Sequence, residues 1–512
     1  MSALPAAALQ AKPGQVKPDP AGAPQKSAEP HAQLYRQAQP RQELEDAIDS
    51  EMRAGNGAAA ATHIRELLAT EHTASEESLW RTFLGIACFM HGDARGADEA
   101  FAAAEKARPG DPAQLELEQK AASIGGGPIR LAVLNRIIDR HPEMVASLDP
   151  WAPGMVIAWL MQQKRDAESD ALILRLAALN LGKANRPIHD ELTMHAVQIR
   201  LRAGQLDESL KLVRQIHSLA NLTTMLIDRR YQALWPALEA MVGPHMESAI
   251  AASIADAEAT VKAAPDDGAA RWSLIETYYL AGRLDDADRA GRDFAQTPET
   301  IDSIDQPGTW AINEHAMVLH AMNRRADADA RLAALTAQDF GPKPWLINIA
   351  VNRLEFVVRD GAFAKALGLM DGTEKLAHDF GNTGVQQGMR RLRLCTALSL
   401  DSKADVTPLL SEIRAHEADS RSATLDALLC VGKVEEAEGV LLRWLANPDP
   451  QSSVLGFMQP DGAAAEVDPS IWDTSRARLR GRPEAQAAFL RIGRDLPVAY
   501  WPVPGVSGKH QD

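Results

Sequence analysis

The chain has 512 residues, only 5% of them aromatic, and 69 acidic against 54 basic side chains give it a formal charge of −15. That field repels phosphate backbones and anionic lipid, and no basic stripe interleaved with aromatics offsets it, which argues against nucleic-acid binding. No stretch approaches the roughly 20 continuous apolar residues of a membrane-spanning helix. Alanine and leucine dominate while runs of Val, Ile, Thr and Tyr are scarce, so the composition predicts an all-α protein. A chain of this length is expected to form several domains, unless it is a repeat array that grows by addition.

Residues 1–40 hold seven prolines among Ala, Gln, Lys and Gly and supply no apolar face, so they read as a disordered tail. Met1–Ala11 carries a short apolar run with no Lys or Arg before it, which falls short of a secretory signal. The expected location is therefore cytoplasmic, with export or membrane tethering as the alternative. Cys88, Cys395 and Cys430 are odd in number and far apart in apolar helical patterns, so they are expected to be buried reduced thiols with no disulfide and no metal.

From residue 41 onward one short pattern recurs. Gly55, Gly92, Gly204, Gly282, Asn323, Gly361 and Gly432 each follow a helix-like run, and a small residue stands five positions on, at Ala60, Ala97, Ser209, Ala287, Ala328, Ala366 and Ala437. Weaker copies are Gly127 with Ala132, Lys164 with Ser169, Gly243 with Ser248, and Ser402 with Thr407. Successive turns lie 30 to 41 residues apart, mostly in the upper thirties, which is the period of a helical-hairpin array. Glycine or asparagine tolerates the positive φ that ends one helix and starts the next within a few residues. The small residue lets the two backbones approach, and in the clearest unit Gly85 offers the same clearance, Phe101 fills the space beside the crossing, and Pro109 ends the second helix.

Leu84-Gly85, Cys88 in an aromatic slot, Ala97-x3-Phe101 and Pro109 together resemble the tetratricopeptide repeat, and Trp272–Gly291 keeps the same skeleton more loosely. The usual tryptophan falls on Arg81, with Trp80 one residue early. The resemblance implies a right-handed superhelical solenoid of about eleven hairpins over residues 41–451. Residues 452–512 would then form a short C-terminal cap, and Ile471–Gly505, with Trp472, Arg-Pro and Leu-Pro before Tyr-Trp, resembles the closing segment of repeat arms in bacterial winged-helix, adenylate-cyclase and kinase regulators.

Catalytic patterns are missing from the sequence: it has no GxGxxG after a strand, no GxxxxGK[ST], no HExxH, no GxSxG and no EF-hand loop. His189 and His195, and His315 and His320, are spaced six and five apart, whereas paired ligands on one helical face stand three or four apart, so no metal and no cofactor are expected. The carboxylate-rich Leu284–Arg289 reads as a solvated helix start.

What remains is surface. In a stack of hairpins the first helices line a concave groove. Trp272, Glu276 and Tyr279 share one face by i, i+4, i+7 spacing; the next helices offer Asn313, Met317 and His320, then Asn352 and Glu355, and an earlier one Met194, Gln198 and Leu201. These residue types form a trough for a protein or peptide segment, with tryptophan and tyrosine as anchors. The expected function is a non-enzymatic scaffold or adaptor that binds a protein partner. The alternatives are a sensor arm of a bacterial regulator whose output domain is separate and, last, an enzyme whose site is built between hairpins.

Overall fold

The computed structural model describes residues 29–108, 112–122, 126–148, 151–183, 186–446, 452–459 and 473–500. The described residues form 27 α-helices and short 3-10 turns, with a single isolated β-bridge between Asp228 and Gly493. The protein is all-α. Of the N-terminal stretch read as a tail, residues 1–28 lie outside the described residues, while a helix spans Glu29–Arg53 and so begins earlier than the expected boundary. Pro109, Trp472 and the Trp501 of the closing motif also lie outside them.

The recurring turn has one geometry. Gly55, Gly92, Lys164, Gly204, Gly282, Asn323, Gly361 and Gly432 are all left-handed, with φ between 56° and 86°. At each, the amide of the next residue donates to a carbonyl five positions back, as Asp93 does to Cys88 (2.9 Å) and Arg283 to Tyr278 (2.8 Å). This bond satisfies a helix-end carbonyl and fixes the exit direction of the chain. The small residue five positions after each of these turns is at most 3% exposed.

Three of the weak copies fail the same test. Near Gly127 the left-handed residue is Gly126 and Ala132 is only half-buried; Gly243 is left-handed but Ser248 is exposed; Ser402 is not left-handed and Thr407 is exposed. The region around Gly243 consists of the short helices Leu219–Ile227 and Trp235–Val242 with 3-10 turns between and after them, in place of a regular hairpin. Without a small residue inside a helix crossing, a glycine marks only a turn.

The chain divides into two compact units, with the boundary after Lys183 inside the stretch read as one array. Asn180 and Gly182, both left-handed, interrupt the helical pattern there.

In the first unit, a Cβ on Gly85 would lie 2.7 Å from the Phe101 ring, so only glycine admits the fully buried phenylalanine at that crossing. The Arg136 guanidinium lies over the Phe101 ring, 4.6 Å from its centre, and binds buried Glu118 at 2.7 Å as well as Glu105. Burial pushes the Glu118 carboxyl up to about 7 against the opposing pull of Arg136.

In the second unit, the helices Gly268–Leu280, Gln306–Ala321, Leu346–Arg359, Thr383–Leu400 and Arg421–Cys430 each begin a pair; the first two pack together, as do the last three in sequence, and Gln306–Ala321 meets Leu346–Arg359 through side-chain hydrogen bonds such as that from Asn352 to Asn313. The C-terminal helix Pro483–Ile492 packs on Val434–Leu445, and the segment that follows it reaches further. The Arg494 amide donates to the Ile227 carbonyl at 2.8 Å, and its guanidinium binds the Leu226 carbonyl at 2.6 Å and Glu239 at 2.8 Å while lying 3.8 Å from the Trp235 ring centre. The segment thus ties the last pair to the helices near the start of the unit.

One expectation is overturned: Cys395 and Cys430 form a disulfide with Cα atoms 5.6 Å apart, and only Cys88 is a free, buried thiol. Their separation of 35 residues is one repeat, so two cysteines distant in sequence occupy matching positions on neighbouring helices. Arg391 and Asp426, four residues earlier on each helix, face one another in the same register at 3.7 Å.

Two stability measurements check this account. Lys164→Gly relieves a left-handed lysine and is expected to stabilise the protein by about 1 kcal/mol in denaturant unfolding; no gain, or a loss, would show that the turn is not strained. Replacing Cys395 and Cys430 together by serine opens a loop of 35 residues, and is expected to cost about 2–4 kcal/mol. An unchanged midpoint, or three free thiols instead of one on denaturing the oxidised protein, would contradict the disulfide.

Candidate functional site

The helices Gly268–Leu280 and Gln306–Ala321 meet backbone to backbone: a Cβ on Gly268 would stand 2.4 Å from the Gly308 amide nitrogen. Each helix starts on an aspartate cap, Asp267 accepting from the Ala270 amide and Asp305 from the Gly308 amide, both at 2.8 Å. With the two starts pinned together, residues at equal steps along the helices fall side by side. Trp272 stacks on Trp310 with ring centres 6.2 Å apart and planes inclined by 29°. One turn further on, Glu276 faces Glu314.

Glu314 is buried and Glu276 half-buried, and neither carboxylate has a cation or hydrogen-bond donor among the described residues. Burial raises both carboxyls above the usual range and the Glu276 charge raises Glu314 further, against the opposing pull of the chain's N-terminal amino group on both. Other buried acids of this unit are matched. Asp288 is held by His315 at 3.0 Å and by Arg324 at 3.0 Å, Asp426 by Arg476 at 2.6 Å, and Glu438 by Arg482 at 2.6 Å. Glu191, on the same face of the helix Arg186–Arg202 as Met194 and Gln198, resembles the pair: burial pushes it up to about 7.

The expected groove residues are therefore only partly assembled. Trp272 and Glu276 lie together, but Trp272 also packs on the next helix, and Tyr279 belongs with it to the apolar seam around Leu274 and Val318. Asn313 is buried, accepting a hydrogen bond at 3.0 Å from Asn352 of the helix Leu346–Arg359, and Met317 is half-buried beside it with its sulfur 3.9 Å from the Asn313 amide. Glu355 is paired with Arg391 at 2.9 Å. His320 turns away from the others. It binds Asp360 at 2.7 Å, stacks on Phe356 at 4.9 Å, and lines a separate cavity of about 120 Å³ in which Arg353 and Lys365 are both engaged by Asp329.

Sequence reasoning missed Trp310 and Glu314. They stand 38 residues after Trp272 and Glu276, four apart like them, and that matched spacing was the available signal. Asn313 and Met317 were chosen instead, which is a slip of one to three positions in helical register. The Leu284–Arg289 segment also differs from its reading, because Asp288 is buried in the His315 contact and is not solvated.

One group among the described residues has the composition of a metal set, Cys88, His91 and Asp93, with ligand atoms within 4.8 Å of one another. Each member is otherwise engaged: Cys88 by Arg65 at 3.9 Å, His91 by the Ala87 carbonyl at 2.7 Å, and Asp93 as the cap on Gly96 at 2.9 Å. Compared with known proteins, the chain matches no family and no curated relative.

The carboxylate pair makes a pH prediction. Because the folded state holds these protons more tightly than the unfolded chain, stability is full below the usual carboxylate range and falls as pH rises through the raised folded values. Glu314→Gln is expected to raise the melting temperature at pH 8 and to leave it nearly unchanged at pH 4. An equal effect at both pH values would mean that the carboxyl is not perturbed.

Proposed function

We propose that the chain is a non-enzymatic scaffold of the tetratricopeptide type, a right-handed solenoid of helical hairpins that binds a protein or peptide segment along the face carrying Trp272, Trp310, Glu276, Glu314 and Asn352. The observation that carries this reading is a ladder of like residues one repeat apart: tryptophan on tryptophan at 6.2 Å, carboxylate facing carboxylate, and asparagine bonded to asparagine at 3.0 Å. Such a ladder suits an extended chain, whose groups recur along its length, better than a compact substrate.

The disulfide bears on where this binding takes place. Disulfides persist in oxidising compartments and are rare in the cytosol, so the Cys395–Cys430 bridge favours an exported or periplasm-like setting over the cytoplasm.

The test is capture of partners from the native organism's lysate by the full chain, with Asn352→Arg beside the wild type and melting curves on both. Asn352 is half-buried on the third helix of the ladder, so arginine there obstructs the face with little loss of core. A protein retained by wild type and released by a folded Asn352→Arg supports the reading. Equal retention by both, or nothing retained by either, opposes it.

A further inference from the structure

The cavity of about 120 Å³ that His320 lines is bounded by the helices Arg325–Thr336, Leu346–Arg359 and Phe363–Phe380 and takes in none of the residues of the peptide face. Its walls carry more positive charge than negative. Arg325, Arg353 and Lys365 stand against Asp329 and Asp360, so one cation is in excess even with His320 neutral, in a chain whose overall charge is −15. Both carboxylates are committed. Asp329 accepts from Arg353 and from Lys365, each at 2.9 Å, and Asp360 is bound by His320 at 2.7 Å with Arg325 at 3.4 Å. A further cation entering the cavity meets repulsion with no acceptor left for it, whereas an anion neutralises the excess.

The three cations differ in position. Arg353 gives its guanidinium to Asp329 and to the Thr336 hydroxyl, which ties its helix to the preceding one. Lys365 donates to Asp329 alone among the described residues, one of the three N–H groups of an ammonium, and its side chain is 49% exposed. The Arg325 side chain is 39% exposed, so these two stand at the mouth. The floor is apolar: Ala328, Leu332 and Val357 are at most 3% exposed, and Phe356 forms a wall with His320 stacked on it. A cationic mouth over an apolar floor suits an anion with a short apolar tail, while inorganic phosphate or sulfate leaves the floor unused. The volume limits the tail, because a dry cavity of about 150 Å³ admits a benzene ring, and this one admits about five or six heavy atoms.

We propose that this cavity is a binding site for a small free monocarboxylate of about three or four carbons, its carboxylate held between Lys365 and Arg325 and its chain laid on Leu332 and Val357. The site stands apart from the groove reading, since the two share no residue.

The test is calorimetric titration of the full chain with butyrate and with probes that each change one property. Butyramide removes the charge, n-butylammonium reverses it, 3,3-dimethylbutyrate keeps it and adds two methyl groups, and inorganic phosphate lacks the tail. Butyrate is expected to bind at least tenfold more tightly than each of these. Lys365→Met keeps the stem and removes the charge, and is expected to weaken butyrate at least fivefold, while Lys365→Arg retains binding. The melting temperature of Lys365→Met is expected to stay near wild type, because Arg353 still holds Asp329. Should that variant melt lower, Arg325→Gln carries the same comparison, since His320 still holds Asp360. No saturable binding of butyrate up to about 10 mM, equal binding of butyrate and butyramide, or unchanged affinity in a folded Lys365→Met overturns the proposal. So does phosphate or 3,3-dimethylbutyrate binding as tightly as butyrate, because the apolar floor and the cavity's size would then play no part.

Discussion

The close crossing of two helices within a single tight turn is the constraint on which the rest of this structure depends. It needs a backbone that can turn left-handed at one residue and a side chain small enough, five residues later, to let the partner helix in. Where both conditions hold, at Gly92 with Ala97 or Gly361 with Ala366, the small residue is fully buried and the pair is regular. At Gly243 both conditions are met, yet Ser248, as small as the buried Ser209, stays exposed and the chain runs as short helices and 3-10 turns. Backbone freedom and a small side chain permit the packed pair, and docking of a second helix on that side chain completes it.

The same clearance positions the candidate site. Gly268 and Gly308 bring two helix starts into backbone contact, and from that point the tryptophans and then the glutamates follow in step at intervals of about one turn. The site is thus a consequence of register: shift either helix by one residue and the indoles no longer stack. It also carries a cost, since the register that stacks the indoles also forces two carboxylates together away from water. The aspartate caps at Asp267 and Asp305 hold the helix starts that impose this arrangement.

Elsewhere the fold spends its polar groups on internal ties. Arg494 joins the C-terminal segment to helices more than two hundred residues earlier through two carbonyls, a carboxylate and an indole face. The Cys395–Cys430 bridge and the Glu355–Arg391–Asp426–Arg476 chain of charges link consecutive helices in the same unit. These ties saturate their members. His320 and Asp288, which look available in the sequence, are each engaged in this way.

The sequence by itself determined the helical class, the position of eight turns, the small residues inside them and the Gly85–Phe101 crossing, because each of these depends on backbone conformation and side-chain size within a few residues. It also placed Trp272 and Glu276 on one helical face. Only the tertiary structure decided which residues of the next helix would meet them, because Asn313 and Glu314 are adjacent in sequence and point about 100° apart around the helix. In the same way it paired Cys395 with Cys430, buried Asp288 against His315, and divided the chain after Lys183. Those outcomes depend on helix register and on contacts between residues dozens to hundreds of positions apart. Local spacing does not encode them until the helices have docked.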